Sequence, residues 1–130
     1  MTIYRNYDRI PVLLVEMDPM CRQAVTHLLH DHCNVTALTK YNRIIEMMHH
    51  FAFQTLYVDY DLPSPGAIAL FEEARRIAPN MKRVLMSGIA VRNLDVYLKE
   101  GLIHAFVTRI STVMDIRRAV LGPITSRTEH

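Results

Sequence analysis

The chain has 130 residues, a formal net charge of +2, and half of its residues hydrophobic. That length suits one domain with a real core, and that charge is too small to imply nucleic-acid or membrane binding by itself. No apolar stretch reaches spanning length, and the first nine residues lack the apolar region of a secretory signal. Cys21 and Cys33 are too few for a disulfide framework and form no CxxC pair, so reduced, packed thiols in a cytoplasmic protein are expected.

Residues 1–9 read as a lead, 10–121 as one folded domain, and 122–130 as a polar tail or linker. Within the domain, five short apolar runs alternate with five segments of helical period. The first run is Val12 to Val15, followed by a helix with Cys21, Ala24, Val25, Leu28 and Leu29 on one side. Val35 to Leu38 precedes a helix carrying Tyr41, Ile44, Ile45 and Met48. Thr55 to Val58 precedes Ala67, Leu70, Phe71, Ala74 and Ile77, which stop at Pro79-Asn80. Arg83 to Met86 leads to a helix from Val91 through Leu94 and Leu98 to Gly101, a C-cap. Ile103 to Thr108 is followed by Val113, Ile116 and Val120, with Ser111 or Thr112 as N-cap. Continuous rather than alternating apolar strands, each followed by a helix, predict a doubly wound parallel α/β sheet covered on both faces.

Ligands of such sheets bind beyond the carboxyl ends of the strands. Glu16, Met17 and Asp18 follow the first strand here, Asp59 and Asp61 the third, Ser87 and Gly88 the fourth, and Arg109 the fifth. Carboxylates, a hydroxyl and a cation at one edge suit a phosphoryl group or a hard metal ion.

Four motifs carry a family resemblance: Leu13-Leu14-Val15-Glu16-Met17-Asp18-Pro19, Leu56-Tyr57-Val58-Asp59-Tyr60-Asp61-Leu62-Pro63, Val84-Leu85-Met86-Ser87-Gly88, and Glu100 through Arg109. From about Ile10 to Leu121 the chain resembles the receiver domain of bacterial two-component response regulators. The resemblance implies a flavodoxin-like three-layer sandwich with sheet order 2-1-3-4-5. It implies Asp59 as acceptor of a phosphoryl group from a histidine kinase or phosphotransfer protein, with Glu16, Asp18 and Asp61 around it. Ser87 would contact the phosphoryl oxygen, Phe106 would act as the rotameric switch, and Mg²⁺ would sit at Asp59 and Asp61. An output domain, a partner protein or a second copy would dock on the face of the fourth helix, fifth strand and fifth helix. The module would not be an enzyme.

Two positions depart from the family pattern. Met17 stands where the second acidic residue binds Mg²⁺ directly, and Arg109-Ile110 replaces Lys-Pro, with Ile110 removing the residue best suited to a cis bond. A thioether is too soft to replace a carboxylate on Mg²⁺, leaving Asp18 or Asp61 as substitute donors. Guanidinium pairs with carboxylate as a planar fork, so an Arg109–Asp59 pair would take the place of the metal. The expectation is an atypical receiver acting by protein–protein interaction. The alternatives are a working Mg²⁺-dependent phosphoreceiver and a small phosphatase with Asp59 as nucleophile and Asp61 as acid, which resembles haloacid-dehalogenase-type enzymes.

Three other features read as background. His27, His30, His32 and Cys33 lack four-ligand zinc spacing, the methionines read as core filler, and the pairs Arg75-Arg76, Lys82-Arg83 and Arg117-Arg118 form no single stripe. The expected docking face would expose Arg92, Asp95, Lys99, His104 and Arg117 around Val96 and Tyr97.

Overall fold

A computed structural model describes residues 9–109 and 113–124. Along it run β1 (Ile10–Val15), α1 (Pro19–Leu29), β2 (Cys33–Ala37), α2 (Tyr41–His50), β3 (Thr55–Asp59), α3 (Ala67–Ile77), β4 (Lys82–Ser87), α4 (Leu94–Lys99), β5 (Ala105–Thr108) and α5 (Val113–Leu121). The strands form one parallel sheet in the order β2-β1-β3-β4-β5, the flavodoxin-like arrangement expected. The chain leaves β1 toward β2 and returns to β3 on the other side, so the carboxyl ends of β1 and β3 flank the switch point. Register sets Val15 beside Val58, Asp59 beside Met86, and Ser87 beside Thr108.

Side-chain alternation divides the strand residues between two cores. Leu13, Val15, Leu56, Val58 and Leu85 pack with Ile44, Met48, Leu70 and Phe71 of α2 and α3. Val12, Leu14, Tyr57, Val84, Met86 and Val107 pack with Val25 and Leu29 of α1 and with Ala119 and Val120 of α5. All five residues of β3 are buried, which explains why its sequence reads as an unbroken apolar run up to Asp59.

Local chemistry sets the element ends. Asp18 holds an extended conformation, its carboxylate accepts from the Met20 amide, and Pro19 opens α1, where a missing N–H costs nothing. α4 is shorter than the Val91–Gly101 pattern predicts, because Asn93 takes a left-handed φ of 62° immediately before it. Gly101 does follow that helix at φ +77°, and its amide donates to the Leu98 carbonyl. β5 starts two residues later than expected, since the amides of Leu102 and Ile103 donate to the Tyr97 carbonyl instead of a strand neighbour. β2 begins at Cys33 and stops at Ala37, although the Leu38 amide still donates to the Leu14 carbonyl. The expected roles of Ile110, Ser111 and Thr112 lie outside the described residues, as do residues 1–8 and 125–130.

Candidate functional site

Asp59 ends β3 with only 1% of its surface exposed. Two backbone amides hold its carboxylate: Met17 donates to Oδ2 at 3.1 Å and Asp61 to Oδ1 at 3.0 Å. The Met17 bond needs no particular side chain at that position. That bond is therefore available whatever residue type stands at the position that departs from the family pattern.

Arg109, just past β5, reaches across this edge. Its Nη2 lies 3.6 Å from Asp59 Oδ2 and 3.6 Å from Asp61 Oδ2, and its Nη1 lies 3.9 Å from Glu16 Oε2. Nη1 also donates to the Cys21 thiol at 3.2 Å. Each ion pair at about 4 Å is worth on the order of 4 kcal/mol at an effective dielectric of 20, before desolvation. The Asp61 arm is discounted further, because that carboxylate stands in solvent. Gly88 lies under the crossing, where a Cβ would stand 2.9 Å from Arg109 Nε and 3.0 Å from its Cδ and would make the side chain shift. Burial works against the Arg109 charge, but Glu16, Asp59 and Asp61 around it raise its pKa on balance.

Glu16 is fully buried. Its Oε2 accepts from the Asp18 amide at 3.0 Å, while Oε1 has no hydrogen-bond partner among the described residues. Burial first, and then the Asp59 carboxyl beside it, push the Glu16 pKa up to about 7. Between the ordinary glutamate range and about pH 7, the folded chain thus holds a proton that the unfolded chain has lost. Stability from this group is present at low pH and falls as pH rises to about 7, by about 3 kcal/mol in all. Urea unfolding from pH 5 to pH 8 should show wild type losing stability relative to Glu16→Gln as pH rises, with the loss complete above about pH 7. A constant difference would mean Glu16 is already ionised at pH 5.

Asp18 departs from the acidic-pocket role expected of it. It is exposed, and its carboxylate serves α1, accepting from the Cys21 thiol and the Met20 amide, which lowers its pKa. Ser87 is buried at the end of β4, with its hydroxyl donating to the Ile89 carbonyl at 2.7 Å and accepting from the Ile89 amide. Phe106 is half-buried in the middle of β5 and packs on the α2–α3 side of the sheet. The contact of Cys21 with both Asp18 and Arg109 went unread in the sequence. Its signal is the spacing of three from the N-cap, which returns the thiol to the helix start.

The expected docking face is only partly assembled. Arg92, Asp95 and Lys99 are exposed near Val96, with Tyr97 half-buried. His104 instead turns its Nδ1 to the Arg83 amide, and Arg117 is half-buried and donates to the Leu28 carbonyl of α1. The histidine cluster does not converge either: His27 and His30 stack 5.6 Å apart, while Cys33 is buried in the sheet core.

No protein-family model matches the chain, and no curated protein matches it. Solved structures do. A response regulator receiver protein from Sinorhizobium medicae WSM419 is 22% identical with a TM-score of 0.77, over 93% of this chain and 98% of that one. A CheY-like receiver domain from Methanospirillum hungatei JF-1 is 18% identical with a TM-score of 0.75, over 83% and 87%. A response regulator from Burkholderia pseudomallei, solved with a phosphorylated aspartic acid, calcium and citrate, is 13% identical with a TM-score of 0.75, over 85% and 66%. The chain has a flavodoxin-like fold, and within that class it has the fold of response regulator receiver domains.

Proposed function

We propose that this chain is an atypical receiver module of two-component signalling. It works in the cytoplasm by binding a partner protein, with Asp59 held by Arg109 in place of a phosphoryl group and metal. The observation that carries this reading is the guanidinium 3.6 Å from both Asp59 and Asp61. The donor set argues against resident Mg²⁺ as well. Met17 offers sulfur where a hard oxygen is needed, Asp18 is engaged as a helix cap, and Arg109 stands against the remaining carboxylates. Signalling then depends on binding, through the exposed part of the α4–β5–α5 face, to an output domain, a partner protein or a second copy. A histidine kinase or phosphotransfer protein is a partner only if Asp59 accepts a phosphoryl group.

One observation favours a working phosphoreceiver instead: Glu16 Oε1 is buried with no hydrogen-bond partner among the described residues, which is what a bound cation would satisfy. Incubation with Mg²⁺ and acetyl phosphate, followed by intact-protein mass measurement, separates the two. Wild type should remain unmodified, like Asp59→Asn. A stable adduct that disappears in Asp59→Asn sinks the atypical reading, and many turnovers of phosphate release would point to the phosphatase.

A further inference from the structure

His104 stands half-buried between α4 and β5 and pairs with both main-chain groups of Arg83. Its amide donates to the Arg83 carbonyl at 2.8 Å, and its ring Nδ1 accepts from the Arg83 amide at 2.8 Å. Arg83 Nη2 stands 3.4 Å from Nε2, so the ring meets the amide at one nitrogen and the guanidinium near the other. The same guanidinium donates to the Leu102 and Gly101 carbonyls of the turn that His104 closes. We propose that His104 is a proton-operated latch on this turn. Neutral, it holds the Arg83 amide; protonated, it releases that amide and turns outward into the groove between β5 and α5, toward Asp115. The consequence for signalling rests on the receiver reading, because the turn borders the proposed docking face, whereas the latch itself does not.

Proton chemistry and the surrounding charges set the direction. A ring nitrogen accepts a hydrogen bond only while it carries no proton, so the bond to the Arg83 amide requires a neutral imidazole with its proton on Nε2. An added proton goes to Nδ1, where it points at the amide N–H, and it sets a second cation beside a buried guanidinium. Around the ring, β4 brings Arg83 and Lys82, α5 brings Asp115 and Arg118 to the groove that His104 lines, and the end of α4 adds exposed Lys99 and Glu100. Among these groups cations outnumber carboxylates, and Arg83 is the one in contact on the inner side. The inner position therefore opposes a charged ring, while the groove offers it water and the carboxylate of Asp115. Folded, His104 then holds its proton less readily than in the unfolded chain. The stabilisation it gives is complete above the ordinary histidine value of about 6.5 and is lost as pH falls.

The test is an NMR titration of the ¹⁵N-labelled chain from about pH 8 to about pH 5, read at the histidine rings and the backbone amides. It uses neither a phosphoryl donor nor a partner, so failure of the latch is distinguishable from failure of the receiver reading. At the alkaline end His104 should carry its proton on Nε2, and its midpoint should lie below about 6.5. The Arg83 amide should shift with that midpoint and lose protection from hydrogen exchange by about tenfold or more. His104→Asn, whose Oδ1 takes the place of Nδ1 and does not titrate, should keep the Arg83 amide unmoved throughout. Asp115→Asn should move the midpoint further toward acid. If His104→Asn does not fold, the wild-type tautomer and midpoint decide the matter. The latch is overturned by a proton on Nδ1 at the alkaline end, by a midpoint at or above about 6.5, or by an Arg83 amide that ignores the His104 titration. An Arg83 amide that moves as much in folded His104→Asn, or an unchanged midpoint in Asp115→Asn, would also overturn it.

Discussion

The double substitution Met17→Asp/Arg109→Lys should raise Mg²⁺ affinity at least about tenfold and make Asp59 reactive toward acetyl phosphate. The first change restores a hard oxygen where the main chain is already in place, because the Met17 amide binds Asp59 Oδ2 whatever the side chain. The second withdraws a fork that touches three carboxylates and replaces it with a mobile point charge. Neither change alone should suffice. With Arg109 present, the carboxylate introduced by Met17→Asp meets a guanidinium rather than a metal. With Met17 present, Mg²⁺ still lacks a ligand that its strict octahedral geometry demands. The two effects should therefore exceed their sum in a double-mutant cycle read by calorimetry. An additive cycle would mean that Arg109 and the metal do not compete for one place.

Arg83→Leu should lower stability by about 3–4 kcal/mol, and the melting temperature by roughly 10 °C. The Arg83 guanidinium is buried near the start of β4, and its described partners are carbonyls and His104. Nε donates to Leu102 at 2.7 Å, Nη1 to Met81 at 3.2 Å, and Nη2 to Gly101 at 3.0 Å. Burial drops its pKa to about 10, which still leaves it charged at neutral pH. One side chain thus supplies donors to the turn between α4 and β5, where the chain leaves helix and has not yet joined the sheet. Leucine fills much of the volume and leaves those carbonyls without donors, a penalty of about 1–3 kcal/mol for each buried group. Arg75→Leu, on the exposed side of α3, should stay within about 0.5 kcal/mol of wild type. Equal effects of the two substitutions would show that the buried bonds contribute nothing net.

Most of the fold was legible because a parallel sheet covered on both faces writes itself as apolar runs, and each run here is followed by a segment of helical period. What escaped were local hydrogen-bond choices. The late start of β5 depends on two amides choosing the Tyr97 carbonyl, and the short α4 depends on the left-handed Asn93. The Arg109–Asp59 juxtaposition could be anticipated, since both residues follow strands of one sheet. That Arg109 also spans Glu16 and Asp61 could not, because its reach depends on the path its side chain takes past Gly88. Asp18 looked like a pocket acid and is a helix cap. Its place before Pro19 at the start of an amphipathic segment already fits that role. Arg83 and Arg117 show the same limit, because a basic pair in sequence does not say that both Lys82 and Arg83 are buried while Arg118 is exposed beside a half-buried Arg117.

The most direct test of Arg109 standing in for the metal is a Mg²⁺ titration of the wild-type chain followed by ¹⁵N NMR. The amides of Met17 and Asp61 report on both oxygens of Asp59. With Arg109 in place we expect neither to move as Mg²⁺ is added, while both shift and saturate in Met17→Asp/Arg109→Lys. Saturating shifts of those two amides in the wild-type chain would contradict the proposed role of Arg109.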